Sequence, residues 1–212
     1  MKLLLRTLKV LLLGLFLVVA LGPLYWVIVT SLKGGQEIYT FPIRYWPSEV
    51  TFENYKYLFR ISDFSIYFKN SLLISLLASA GALLISVFSG YALSRIRSRR
   101  PKLILLLGMY FTQIIPTYML MSPLFISLAK IGMTDSLIAI TFVYVSMMIA
   151  FSTIMAKSFF DRIPVALEEV AMTDGCTRTQ TIVKVVLPLT LPGLAAIFSF
   201  AFVNIWNELF LA

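Results

Sequence analysis

The chain has 212 residues, of which 59% are hydrophobic and only 13% are charged, and it has no histidine. Several apolar runs of about 20 residues, each long enough to cross a bilayer as a helix, exclude a soluble globular domain. The net charge of +8 fits the basic inner loops of a membrane protein, and because no basic stripe is interleaved with aromatic residues, we expect no nucleic-acid partner.

The reactive residue types are too few for an enzyme. Cys176 is the only cysteine, which excludes an internal disulfide, a thiolate zinc site and a CxxC redox centre. Without histidine, and without clustered carboxylates at membrane depth, neither a metal site nor an acid–base pair can be assembled. The sequence also lacks a GxxxxGK[ST] phosphate-binding loop, so we expect no catalytic residue, no metal and no bound cofactor in this chain.

The N-terminal part predicts an uncleaved first membrane span. Lys2, Arg6 and Lys9 precede an apolar run, residues 10–32, which is longer than the apolar region of a secretory signal peptide and lacks a clear cleavage site. The basic residues place the N-terminus in the cytoplasm. Residues 33–70 are polar and aromatic, with glycine and proline breakers, and are predicted to form an outer loop.

The second and third predicted spans flank the strongest topological marker. The charge-free run 71–93 is followed by five basic residues within 95–102, which should lie in the cytoplasm. The third span, 103–129, contains Pro116 and Pro123. Proline kinks a membrane helix, and neighbouring helices must then satisfy the freed carbonyls, so a helical bundle is implied.

The fourth and fifth spans complete an all-α prediction. Span 136–156 returns the chain to the cytoplasm, and span 189–212 is still apolar at the last residue. We therefore expect a further C-terminal part and treat five spans as a minimum. With no internal repeat, the chain is predicted to form one domain over residues 1–212, a polytopic transmembrane helical bundle that contacts the lipid bilayer.

The inner loop between the last two spans, residues 157–188, is predicted to be a helix–turn–helix. Pro164 suits the first turn of a helix that runs to Thr173. Gly175 follows as the left-handed terminator, a conformation that glycine adopts without steric penalty. We call this segment, residues 157–188, the Asp-Gly loop.

The second helix of the Asp-Gly loop has its own start and stop signals. Thr177 and Gln180 match a capping box, in which each side chain satisfies a backbone N–H at the start of the helix. Pro188 and Pro192 predict that this helix ends at Leu187.

The first helix of the loop has two possible uses. Leu167, Val170 and Ala171 share one face, with Glu168 and Glu169 beside it, an arrangement that a partner protein could grip. The alternative is an amphipathic helix lying on the lipid surface. That alternative favours a basic polar face, whereas this region contains four acids and four bases, so docking to a protein is favoured but the interfacial reading stays open.

The Asp-Gly loop resembles the cytoplasmic signature of the inner-membrane permease subunits of binding-protein-dependent ABC importers. That signature reads Glu-Ala-Ala, two residues, Asp-Gly-Ala and later Ile-x-Leu-Pro. Its positions are occupied here by Glu169, Val170, Ala171, Asp174, Gly175, Cys176, Val185, Leu187 and Pro188. Three positions depart from the signature, all by small or apolar exchanges.

Two further segments resemble the sugar-importing, maltose-type branch of this family. The first is the outer loop, where the resemblance rests on Pro47, Thr51, Glu53, Asn54 and Tyr55, together with Asn70-Ser71 at the start of the second span. The second is the fifth span, where it rests on Trp206-Asn207-Glu208.

The resemblance implies that the first helix of the loop is a coupling helix seated in a cleft of a cytoplasmic ABC ATPase dimer. The docking residues would be Glu169, Ala171, Asp174 and Gly175, with Glu168 as a neighbour and Pro188 fixing the exit of the second helix. The resemblance also implies a second permease subunit, which shares the translocation pathway, and an extracytoplasmic solute-binding protein. ATP would be hydrolysed by the ATPase subunits.

The ionisable residues leave two transport mechanisms to compare. The first four spans contain no Asp, Glu, Lys, Arg or His, although ion-coupled carriers usually have such residues there, and an ATPase in trans explains their absence. A secondary carrier or channel is the alternative, because the proline-interrupted third span suits it as well. Glu208, next to Asn207, could line the pathway or lie at its outer rim.

Overall fold

The computed structural model describes residues 2–61 and 63–208. Within these residues the secondary structure is helical and contains no strand, which confirms the all-α prediction. The helices are α1 Lys2–Ser31, α2 Glu53–Ile61, α3 Phe64–Arg95, α4 Arg99–Ile114, α5 Thr117–Lys130, α6 Leu137–Phe160, α7 Val165–Thr173, α8 Arg178–Thr181 and α9 Leu187–Trp206. A 3-10 turn, Glu37–Tyr39, precedes α2, and a π-helical segment, Ile182–Val186, joins α8 to α9.

Among the described residues, four helical stretches are long and apolar enough to cross a membrane. They are Leu5–Ser31, Phe64–Arg95, Leu137–Phe160 and Arg178–Trp206. Helices α4 and α5 pass the same test together, and they give a fifth span if the bent pair crosses as one. The end of the predicted fifth span, residues 209–212, lies outside the described residues.

The chain divides into two compact units, Met1–Tyr67 and Phe68–Ala212. The prediction that the whole chain is one domain stays a prediction.

In the first unit, the loop after α1 folds back on the end of that helix. The side chain of Lys33 is only 2% exposed. Its ammonium donates to the Arg44 carbonyl and lies 4.8 Å from the centre of the Trp26 ring. Asn54 Nδ2 donates to the carbonyls of Ser31, at 2.9 Å, and of Lys33, at 2.8 Å. The last carbonyl of α1 and one in the loop after it are thus satisfied by a side chain of the predicted outer loop.

In the second unit, small residues bring α3 and α6 close together. A Cβ atom added to Gly90 would lie 2.7 Å from Cβ of Ala156, so only glycine fits there. Beside this contact, the hydroxyls of Ser89 and Thr153 share a hydrogen bond of 2.7 Å. Small and hydroxyl-bearing residues are the usual contacts between membrane helices, because they let the backbones approach and bond across the interface. Around this contact a buried cluster joins α6 to α9: Ala156, Phe160, Ile163, Val186, Leu194 and Ile197.

The third predicted span is broken rather than kinked. Helix α4 ends at Ile114, α5 begins at Thr117, and the two helices are bent by 89°. Proline lacks an N–H and disfavours the helical conformation of the residue before it. Ile115 and Pro116 accordingly adopt extended ψ angles of 117° and 133°. Pro123, by contrast, lies inside α5 and does not end it.

The prediction that the second loop helix ends at Leu187 is wrong. Arg178–Trp206 forms one continuous helix, with Pro188 in the first turn of α9 and Pro192 inside it. The reason lies in the π-helical segment, where the N–H of Leu187 bonds the carbonyl of Ile182, five residues back. This wider turn shifts the hydrogen-bond register just where Pro188 supplies no N–H, so the helix can continue past the ring.

Candidate docking loop and pathway site

The first helix of the Asp-Gly loop, α7, has the termini predicted for it. It begins directly after Pro164 and ends at Thr173. Gly175 has a φ of +90°, in the left-handed region. The N–H groups of Gly175 and Cys176 donate to the carbonyls of Met172, at 3.1 Å, and Ala171, at 3.0 Å. This pair of bonds is a Schellman motif, which confirms Gly175 as the helix terminator.

The second helix begins with the predicted capping box. The N–H of Thr177 donates to Oε1 of Gln180 at 2.9 Å, and the N–H of Gln180 donates to Oγ1 of Thr177 at 3.3 Å. The turn between the two helices is therefore closed on both sides by local hydrogen bonds.

The predicted docking residues divide into an exposed and a buried group. Glu169, Asp174 and Gly175 are exposed, while Ala171 is 9% exposed and Glu168 is 6% exposed. Apolar side chains lie on the exposed surface of α7 beside Glu169: Val165, Leu167, Val170 and Met172. Pro188 is exposed, but it lies within a continuous helix, so the exit that it was predicted to fix is not there.

Glu168 is turned towards α3, where it forms a buried ion pair. Its Oε1 lies 2.7 Å from Nε and 2.5 Å from Nη2 of Arg95. Its Oε2 accepts a hydrogen bond of 2.7 Å from the hydroxyl of Tyr91. The Arg95 guanidinium also donates to the carbonyls of Phe160, at 3.3 Å, and Ile163, at 3.4 Å. One arginine thus contacts the end of α6, the linker after it and α7.

Sequence reasoning missed this pair. The basic run after the second span predicts only a topological role for Arg95, which lies 73 residues from Glu168. Nothing in the spacing of either residue signals the contact, because the two come together only through the packing of α3 against α6.

The predicted pathway residues lie in a cavity at the α4–α5 break. The cavity has a volume of about 520 Å³. Its polar lining comes from both sides of the break and from the end of α9: Gln113, Thr117, Tyr118, Asn204, Asn207 and Glu208. Extended backbone at membrane depth is tolerated where it lines such a cavity. The structure therefore brings Asn207 and Glu208 together with the break at Pro116.

A buried tyrosine orients the carboxylate in this cavity. The hydroxyl of Tyr144, which is 2% exposed, donates to Oε2 of Glu208 at 2.7 Å. Amides and hydroxyls can donate and accept hydrogen bonds and a carboxylate accepts them, so the lining offers both kinds of group to a polar uncharged solute. Among the described residues, no group of three or more His, Cys, Asp or Glu could hold a metal ion.

A family model and known relatives match the chain over these elements. The model, described as "Binding-protein-dependent transport system inner membrane component", matches residues 82–212, which include α6, the Asp-Gly loop and the end of α9. The sulfoquinovosyl glycerol transport system permease protein SmoH of Agrobacterium fabrum is 37% identical over 199 residues, covering 94% of this chain and 70% of the relative. The diacetylchitobiose uptake system permease protein DasC of Streptomyces coelicolor is 32% identical over 187 residues, covering 88% and 67%.

The fold of this chain is also similar to that of a solved transporter structure. A chain from the crystal structure of a bacterial ABC transporter involved in the import of the acidic polysaccharide alginate superposes with a TM-score of 0.80 at 25% identity. The match covers 97% of this chain and 71% of that chain.

Proposed function

The chain belongs to the binding-protein-dependent transport system inner membrane components and is a permease subunit of an ABC importer, and from this premise we propose that it imports a sugar. It is a multi-pass membrane protein and not an enzyme. A secondary carrier or channel, the alternative from the sequence, is not favoured by these comparisons.

A second part of the proposal is that the chain docks on a cytoplasmic ATPase, and the observation that carries it is the exposed surface of the Asp-Gly loop. Glu169, Asp174 and Gly175 form a corner held by the Schellman motif, and apolar side chains such as Val170, 58% exposed, lie beside it. A surface that combines apolar area with carboxylates suits a protein partner carrying Arg or Lys, because charge-assisted bonds strengthen when they are desolvated. The proposed partner is a cytoplasmic ABC ATPase dimer, with Gly175, which has no side chain, allowing close approach, whereas Ala171 is buried within the chain.

The docking proposal also sets the orientation of the chain in the membrane. A loop that docks on a cytoplasmic ATPase must lie in the cytoplasm, and with it the basic cluster before α4 and the N-terminus. ATP is bound and hydrolysed by the partner, so the chain needs no cofactor of its own. Closing of the ATPase dimer would move α7 and switch the pathway between inward-open and outward-open states.

The proposed solute is small and rich in hydroxyl groups. The two relatives are named for sulfoquinovosyl glycerol and diacetylchitobiose, and the related structure is of a transporter involved in the import of alginate. The cavity at the α4–α5 break, with Asn207 and Glu208, offers the hydrogen-bonding groups that such a solute needs. A second permease subunit would form the other side of the pathway, and an extracytoplasmic binding protein would deliver the solute.

Docking is tested by copurification. The Glu169→Lys and Gly175→Asp variants should lose the ATPase subunits that copurify with the unaltered chain. Glu49→Lys, the same charge reversal in the loop before α2, is the matched control and should retain them. Full retention of the ATPase by both loop variants would contradict the docking proposal.

Orientation can be tested with the natural cysteine. Cys176 is the only cysteine in the sequence and lies beside Gly175, with intermediate exposure. A membrane-impermeant maleimide should label it only after cells are opened. Asp135 lies between the third and fourth predicted spans, in a turn that this orientation places outside the cell. In a Cys176→Ser background, an Asp135→Cys variant should therefore be labelled in intact cells. Labelling of Cys176 from outside intact cells would overturn the proposed orientation.

Sugar import needs a direct assay. The complex reconstituted with its ATPase and binding protein should take up a radiolabelled mono- or disaccharide in an ATP-dependent way, and a radiolabelled amino acid should not enter. Removal of a hydrogen-bonding group by Asn207→Ala should lower uptake about 2- to 10-fold, with attachment of the ATPase unchanged. Import of the amino acid in preference to sugars would contradict the proposed solute class.

A further inference from the structure

The Arg95–Glu168 pair is the most deeply buried ion pair of the described residues. Its side chains are 14% and 8% exposed, whereas the carboxylate of Asp161, which pairs with Lys102 and Lys157, is 38% exposed. A buried pair is weak support for stability alone, since well-packed apolar residues of similar volume often do as well. Its more specific effect is geometric, because the charges hold one relative position of the elements that carry them.

The pair bridges the break between α6 and α7. Helix α6 ends at Phe160 and α7 begins at Val165, so four residues without α-helical structure separate them. Arg95 spans this gap from the side: its guanidinium contacts the carbonyls of Phe160 and Ile163 and the carboxylate of Glu168. Without it, α7 would be held by the linker, the Asp-Gly corner and its contacts with α8 and the π-helical segment, none of which ties it to α3.

The α3 end of the bridge is itself rigid. Tyr91 donates to Glu168 and packs edge-on against Phe160, with ring centres 5.7 Å apart. One residue earlier, Gly90 has no room for a Cβ atom against Ala156. The ends of α3 and α6 therefore cannot slide past each other without a clash, and a displacement of Glu168 acts on both helices together.

Glu168 and its neighbour Glu169 face different surroundings. Successive residues of a helix point about 100° apart, so Glu169 is exposed while Glu168 is buried against α3. We propose that Arg95, Glu168 and Tyr91 are positioning residues that make α7 and the end of α3 move as one body, so that motion of the docked helix passes directly into a membrane span. This inference rests on the proposed docking of the ATPase on α7.

The test measures the distance between the two helices in both nucleotide states. In a Cys176→Ser background, spin labels are attached at Leu84→Cys on α3 and Ala166→Cys on α7, two exposed positions outside the pair and the docking residues. The intact complex is examined without nucleotide and with ATP plus vanadate. The mean distance should shift by less than about 2 Å between these states, and by more than that when Glu168→Gln or Arg95→Gln breaks the pair.

Two further variants separate positioning from general stability. Arg97→Gln removes an exposed basic residue two positions from Arg95 and should behave like the unaltered chain. The double variant Arg95→Glu with Glu168→Arg restores opposite charges and should return the shift to below about 2 Å. A merely structural role would lower the yield of complex without making the distance depend on nucleotide.

The outcomes distinguish this inference from the proposal on which it rests. The positioning role would be overturned if the mean label distance depended strongly on nucleotide while the pair is intact. It would also be overturned if the Gln variants showed the same small change in distance. Loss of the ATPase during purification of the unaltered complex would instead count against docking. In that case the inference is tested on the purified permease alone. If the pair holds α7 in place, the spin-label distance distribution must be narrower in the permease with the intact pair than in the Glu168→Gln variant.

Discussion

Two acids in the second unit have a similar bond and different surroundings. Glu168, in the Asp-Gly loop, and Glu208, after α9, each accept a hydrogen bond of 2.7 Å from a tyrosine hydroxyl. Glu168 is 6% exposed and is also held by Arg95, whereas Glu208 lines a cavity of about 520 Å³. A carboxylate packed against a guanidinium joins helices, while one that lines a cavity lies where a solute can reach it.

This comparison shows how the permease can use the same side chain for two tasks. Rigid linkage requires that every charged group be paired away from water, since an uncompensated buried charge is costly. A pathway requires the opposite, because a solute must exchange its hydrogen bonds with water for hydrogen bonds with the protein and then leave again. The same substitution at the two acids should therefore have unequal effects.

The largest expected effect is on stability at the loop. Glu168→Ala leaves the Arg95 charge buried without its partner, so we expect the unfolding free energy to fall by about 3–5 kcal/mol. Glu208→Ala leaves the buried Tyr144 hydroxyl without this partner and should cost less, about 1–3 kcal/mol. Thermal unfolding of the two purified variants in detergent measures both. Equal losses at the two sites would break the comparison.

A second effect concerns the helix contact that supports the loop. Gly90→Ala introduces a Cβ atom 2.7 Å from that of Ala156, and such overpacking should destabilise the protein by about 1–3 kcal/mol. Gly108→Ala, in α4, meets no atom within 4 Å and should be neutral or stabilising by up to about 1 kcal/mol, because alanine favours the helix. The same unfolding assay applies, and a tolerated Gly90→Ala would show that α3 and α6 can separate.

A smaller effect is expected at the tyrosine of the ion pair. Tyr91→Phe removes one hydrogen bond to Glu168 but keeps the Arg95 contacts and the packing against Phe160. The cost should be about 1 kcal/mol, well below that of Glu168→Ala. Unfolding midpoints of the single variants and of the double variant give the coupling. A loss as large as that of Glu168→Ala would make the hydroxyl, and not the guanidinium, the main partner.

The smallest effect is expected at Glu37, a partly exposed acid of the first unit. The pKa of Glu37 is lowered from its ordinary value, because the hydroxyl and the N–H of Ser48 donate to it, both at 2.8 Å. A lowered pKa means that the folded loop favours the carboxylate, so this contact is complete above the ordinary pKa and is lost as the pH falls through the lowered value.

The measurement is the amide resonance of Ser48 between about pH 6 and about pH 3. It should move as the carboxylate is protonated, with Glu37→Gln abolishing the movement and Glu49→Gln leaving it in place. An unchanged titration in Glu37→Gln would assign the movement to another group.

Much of the fold could be predicted because it depends on local rules. The apolar runs gave the long helices, since a bilayer requires about 20 apolar residues per span. Gly175 and the Thr177–Gln180 capping box predicted the turn of the Asp-Gly loop, since each acts on backbone groups within a few residues. The same rules failed at the prolines: Pro116 broke a span that was expected only to bend, and Pro188 did not end a helix.

The sequence by itself determined the class of protein, the spans, the helix–turn–helix and its resemblance to importer permeases, because hydrophobic length, capping and glycine geometry act over short distances. Only the tertiary structure decided that Glu168 faces inward to Arg95 while Glu169 faces outward, and that Asn207 and Glu208 share a cavity with the break at Pro116. These contacts join residues far apart in the chain, and they depend on how closely the helices pack, which no local spacing encodes.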